Sequence, residues 1–182
     1  MESKTSNIGL SYGFIAGLLL IVFTLVLYLM GVEAFMSPIS FLAYLIIIVL
    51  AILAGLKQRK NNGGWLKFSE ALKITFTVFA VGFLLQTLFS YILFNFIDES
   101  FAAAVNQASL DKAEEMMRRF GAPDSEIDKA MESARGKNNF SLGNQLLGYG
   151  VMCIVFFIVS LIISAIIKKN QPEFDNSFNP QQ

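Results

Sequence analysis

Chemistry on this chain would have to come from carboxylates, hydroxyls and one thiol, because it has no histidine and its one cysteine is Cys153. That composition removes His-bearing metal sites, Ser-His and Cys-His nucleophile pairs, and any intrachain disulfide. Cys153 lies inside a long apolar run. With no base beside it to draw off the proton, it reads as a small packing residue. Carboxylates alone can work as acid and base, and Glu114 and Glu115 are neighbours, but no pair is placed to act together. Gly63–Gly64 lacks the lysine and the spacing of a phosphate loop. The expectation is therefore no catalytic residue, no cofactor, no metal and no nucleic acid.

Polar groups inside the apolar runs are the next place to look. Gln86 lies near the middle of one, with Thr75, Gly82 and Ser90 on the same helical face. An amide at that depth needs a partner, since lipid offers none. Interhelical bonds of this kind are worth about 0.6–2 kcal/mol. A structural hydrogen bond is the main expectation and a permeation path the other. Transport sites usually recruit ionisable groups within the membrane, and the apolar runs contain none. Gly9, Gly13 and Gly17 fall four residues apart on one face of the first run. A second helix can approach that face closely, either another span of the same chain or a second copy of the protein. Ser160 and Ser164 form a weaker small-residue pair in the last run.

These residues are held by four stretches without a charged side chain: Ile8–Met30, Ile39–Leu56, Ile74–Ile97 and Leu146–Ile167. At about 1.5 Å per residue, a helix near twenty residues crosses a hydrocarbon core of roughly 30 Å. The fold class is thus an all-α integral membrane protein with four transmembrane helices in a single domain over residues 1–170. A mean hydropathy of +0.56 agrees. Val32–Glu33–Ala34 resembles a signal cleavage site, but the run before it exceeds the about 7–15 residues of a signal h-region. It reads as a retained first helix.

Lysine and arginine set the threading. Lys57, Arg59, Lys60, Lys67 and Lys73 lie between the second and third spans, Lys168 and Lys169 follow the last, and Lys4 precedes the first. Both termini are expected in the cytoplasm and Asp98–Gly143 outside. In that outer segment nine acids outnumber the bases, which sit mostly away from the span ends. Phe101–Val105 reads as an extension of the third helix. Leu110, Ala113, Met116, Met117 and Phe120 then form one apolar stripe, and Ile127, Ala130, Met131 and Ala134 a second. Gly121 and Pro123 separate them, Ser125 with Asp128 resembles a capping box, and Gly136 closes the second. The expectation is an extracytoplasmic helical hairpin too short to stand alone. Its candidate interaction surface is Met116, Met117, Phe120, Ile127 and Met131. Ahead of the third span, Trp65 and Phe68 suit the headgroup region, Ser69 can cap the helix, and Glu70 complements its dipole. The 171–182 tail, rich in Gln, Asn and Pro, is expected to be disordered.

The opening Gly9–Leu10–Ser11–Tyr12–Gly13–Phe14–Ile15–Ala16–Gly17, the turn Lys57–Gln58–Arg59–Lys60, and Gly63–Gly64 followed by Phe68–Ser69–Glu70–Ala71–Leu72–Lys73 share a pattern with a known family. The chain resembles the bacterial membrane family called domain of unknown function 4199, over nearly its whole length. The resemblance implies a four-helix protein of the bacterial cytoplasmic membrane, with no activity and no functional residues to carry over. The residues point first to a non-enzymatic structural or interaction protein of the cell envelope. Its partners would be the lipid bilayer and either a second copy or another membrane protein. The alternative is a small oligomeric transporter or transporter subunit, motivated by Gln86 and its polar neighbours.

Overall fold

The computed structural model describes residues 2–134 and 138–171, which are almost wholly helical. In chain order they form α1 (Glu2–Met30), the one-turn α2 (Val32–Phe35), a 3-10 turn (Pro38–Phe41), α3 (Leu42–Asn61), α4 (Phe68–Ile92), a π turn (Leu93–Ile97), α5 (Glu99–Arg119), α6 (Asp124–Ala134) and α7 (Leu142–Ile167). Four stretches are long and apolar enough to cross a membrane: Asn7–Met30, Pro38–Asn61, Phe68–Ile97 and Leu142–Ile167. Their helices run past the apolar runs. α3 continues through the basic turn to Asn61, and α7 starts at Leu142 rather than Leu146. Hydropathy marks the immersed part of a helix, whereas the backbone ladder continues until a residue interrupts it.

α4 is the central helix, in contact with α1, α3 and α7. The buried core between them combines small residues such as Ala16, Ala51 and Ala54 with large ones such as Ile47, Val78 and Phe79. Phe79 of α4 stacks on Phe156 of α7 with ring centroids 4.6 Å apart and 6° between planes. Such aromatic pairs are worth about 0.5–1.5 kcal/mol beyond their buried area. Nearby, the wholly buried hydroxyls of Thr75 and Ser164 share a 3.2 Å hydrogen bond. The outward faces are apolar and uncovered, with Leu29 80% and Ile166 75% exposed. That is the surface a bilayer would cover.

The two ends of the bundle are closed differently. At the basic end, α3 leaves through Gly63 and Gly64, whose φ angles of 70° and 97° suit glycine. The chain returns so that Leu66 pairs antiparallel with Lys169, just beyond α7. At the other end the π turn of α4 gives way at Asp98, whose φ of −143° breaks the helix. Asp98 then caps α5 by accepting from the Phe101 backbone N–H at 2.8 Å. Phe101–Val105 therefore does not extend the third helix. It belongs to a new helix started by a side-chain cap that periodicity does not register.

Two other caps differ from expectation. Lys67, not Ser69, is the N-cap of α4, and Ser69 is already helical. α6 begins at Asp124, so Ser125 lies inside it and forms no capping box. The backbone N–H groups of Glu126 and Ile127 donate to Pro123 O instead. Gly121 ends α5 with φ 76°, and α6 makes contact with α5. Gly136 and the 172–182 part of the tail lie outside the described residues.

Candidate functional site

The glycine face is spent inside the bundle. A methyl group on Gly13 would sit 2.8 Å from Val81 Cβ, and one on Gly17 2.6 Å from Leu85 Cδ1. One on Gly9 would sit 3.1 Å from Thr77 Cβ. All three neighbours belong to α4, so a methyl at Gly13 or Gly17 would force a shift between α1 and α4 and one at Gly9 would be tight. Gly143, Gly148 and Gly150 of α7 have open space at the same position. Repeated glycine permits close approach, but a partner helix must also be in reach.

Thr75 and Gln86 share a helical face and serve different neighbours. Thr75 meets Ser164 of α7, while Gly82 lies against Ala16 and Ile47. Gln86 Nε2 donates to Thr24 Oγ1 of α1 at 2.7 Å and to Ser90 Oγ at 3.1 Å. Both amide hydrogens are used, whereas Gln86 Oε1 is buried with no partner among the described residues. Gln86 and Thr24 line a cavity of about 240 Å³ between α1, α3, α4 and α7. Its other walls include Phe23, Tyr44, Phe83 and Phe156, with Phe41 at the rim. No lining residue is charged. Thr24 was missed in the sequence because a threonine in a helix usually bonds its own preceding turn.

A second polar knot closes the basic end. Gln58, 4% exposed, donates from Nε2 to Glu70 Oε1 at 2.9 Å and to Asn62 Oδ1 at 3.1 Å. Asn62 Nδ2 reaches both Glu70 oxygens at 3.0 Å. Glu70 thus ties the start of α4 to the last turn of α3, beyond complementing a helix dipole. Lys169 stands 5.0 Å over the Trp65 ring and Lys168 5.8 Å over Phe68, cation–π contacts that link both aromatic residues to the end of α7. Arg59 Nε donates to Gly64 O at 3.1 Å and braces the same turn.

At the other end, Asp98 forms an elbow. Besides capping α5, it accepts from Tyr28 Oη at 2.8 Å and from Ser100 Oγ at 2.6 Å. Ser100, the Phe101 backbone N–H and Tyr28 together hold its carboxyl below the usual carboxylate range. Phe101 packs edge-on to Tyr28 at 4.8 Å and stacks with Phe94 at 5.7 Å. Asn95 Nδ2 donates to Phe140 O at 2.8 Å, and Lys112 Nζ donates to Met36 O. α5 is therefore fastened to the bundle at its start by Asp98 and Phe101 and further along by Lys112.

Beyond that fastening the two apolar stripes part company. Ile127 is 1% and Met131 9% exposed, Met117 is half-buried, and Met116 and Phe120 are 59% and 85% exposed. Glu114 pairs with Arg118 at 3.1 Å and Glu115 with Arg119 at 2.6 Å. Arg118 also reaches Asp124 at 2.8 Å, and its guanidinium is held more basic by Glu114 and Asp124. These acids are engaged in local ion pairs. Among the described residues, no three His, Cys, Asp or Glu side chains gather as a metal site would require.

The family model described as protein of unknown function, DUF4199, matches residues 11–169. The chain belongs to this family. The match starts within α1 of this DUF4199 member and takes in the other three apolar helices, both polar knots and the whole of α5 and α6. No curated protein and no solved structure matches it.

Proposed function

We propose that this DUF4199 protein is a non-enzymatic, multi-pass interaction protein of the bacterial cytoplasmic membrane. Its bundle presents the 98–143 segment as a helical hairpin on the extracytoplasmic side, with both termini in the cytoplasm. The carrying observation is Phe120, 85% exposed on a helix whose root is fastened by Asp98 and an aromatic cluster. A large ring held out in water costs hydrophobic free energy that a partner surface would recover. Aromatic anchors of this kind are typical of protein contacts. The basic loop at the opposite end supports the threading. The partner is a second copy or another membrane protein.

The alternative, a small oligomeric transporter or transporter subunit, draws on the cavity beside Gln86. It is the weaker reading, because the cavity walls have no ionisable carboxylate or amine.

The test is a photocrosslinking residue at position 120, or at the control position 115, in native membranes with mass spectrometry of the products. The expected result is one recurrent product from position 120 that is absent from position 115 and is lost when Met116→Asp is added. Equal, diffuse labelling from both positions would overturn the proposal.

A further inference from the structure

We propose that the basic end of the bundle seats the headgroup of an anionic phospholipid, centred on Lys168 and Lys169 where they stand over Phe68 and Trp65. The assignment needs the apolar helices to cross a bilayer, and it stands whatever the hairpin binds. Residues 57–73 and 168–169 hold seven bases and one acid, Glu70. Glu70 is already engaged by Gln58 and Asn62. Arg59, Lys67, Lys168 and Lys169 form no ion pair among the described residues. Their counter-charge is not supplied by the bundle.

These bases are gathered by the fold. The Leu66–Lys169 pairing brings the end of α7 against the segment that opens α4. It leaves the Lys169 ammonium 5.0 Å over the Trp65 ring and that of Lys168 5.8 Å over Phe68. Both lysines are exposed, and neither Nζ makes a hydrogen bond among the described residues. Arg59 is drawn to the same turn by its bond to Gly64 O, which uses Nε and leaves both terminal nitrogens to donate. Lys67, also exposed, lies in the chain between the two aromatic residues.

Depth selects the ligand. Lys168 directly follows the uncharged run that ends at Ile167, and another such run opens at Ile74, shortly after Phe68. The cluster therefore stands at headgroup level, where a leaflet presents its phosphates and where tryptophan also settles. A soluble acidic partner would have to reach down to that level, whereas a lipid is already there. A zwitterionic lipid would bring its own cation to the bases, and an anionic one brings its phosphate without it.

Trp65 is the chain's one tryptophan, so its fluorescence reads this place and no other. The test puts the full chain in phosphatidylcholine bilayers with an equal share of brominated phosphatidylglycerol or brominated phosphatidylcholine, the bromines high on the acyl chains. A lipid held at the seat quenches Trp65. One base beside an anionic leaflet is worth about fivefold in affinity, so phosphatidylglycerol should be preferred by at least about that factor. Lys168→Gln with Lys169→Gln should abolish the preference, and Lys168→Arg with Lys169→Arg should keep it. Lys57→Gln with Lys60→Gln removes the same charge from the last turn of α3 and should leave most of it. Equal quenching of the wild type by the two lipids would overturn the proposal. Equal loss in the α3 variant would sink it too, by assigning the effect to the charge of the whole end. Loss of the preference to millimolar inorganic phosphate or to soluble polyglutamate would give the bases to a free anion or an acidic protein instead.

Discussion

Leu66 and Lys169 exchange both of their backbone hydrogen bonds, at 2.8 and 2.9 Å, across more than half the chain. The pair joins the segment before α4 to the residues after α7, with the Leu66 side chain wholly buried beneath it. Leu66→Ala should therefore lower stability by about 2–5 kcal/mol, as for other buried leucines. Thermal unfolding in mild detergent reads this directly. An unchanged Tm would mean that the buried Leu66 side chain does not hold this end of the bundle closed.

Gly13→Leu should prop α1 away from Val81 and destabilise the bundle by about 1–3 kcal/mol. Gly150→Leu, on a face with open space, is the matched control and should be near neutral. Equal effects at the two positions would remove the close-packing argument.

Asp98 makes the stability of the elbow depend on pH. Its folded-state pKa lies below the usual 3.8, so its contribution is full above the unfolded value and is lost as pH falls through the lower folded one. Asp98→Asn lacks the charge at every pH. Protease resistance of α5 should differ between wild type and Asp98→Asn at neutral pH, and the difference should close in acid below 3.8. A difference that is constant with pH would exclude the carboxylate as its cause.

Ile127 and Phe120 should behave as opposites. Ile127→Ala empties a covered position, 1% exposed, and should cost about 2–5 kcal/mol and loosen α6 to hydrogen exchange. Phe120→Ala touches an 85% exposed ring and should stay within about 0.5 kcal/mol. Loss of stability at Phe120 would place its ring in the fold and not at an interface.

The threading is open to direct assay. Reporters fused after Lys60 or Lys169 should behave as cytoplasmic, and one near Gly121 as exported. An exported signal at Lys60 would overturn the arrangement of every later segment.

The four apolar helices and two further helical stretches between the third and the fourth were legible in the sequence, because transfer out of water depends on composition along one stretch of chain, but the first of the two, read as short, is a helix of 21 residues from Glu99. Boundaries were less so, since a cap such as Asp98 restarts a helix by a hydrogen bond that hydropathy does not weigh. That Gly9, Gly13 and Gly17 invite a close neighbour, and that Gln86 needs a partner, follows from residue type and spacing alone. That the neighbour is α4 and the partner Thr24, 62 residues away, emerges only in the folded bundle. It likewise joined Tyr28 to Asp98 and Gln58 to Glu70. A small residue or an amide states a local need, and many surfaces could meet it. Which one does so follows from how the helices pack around α4, a property of all the interfaces together and of no single stretch.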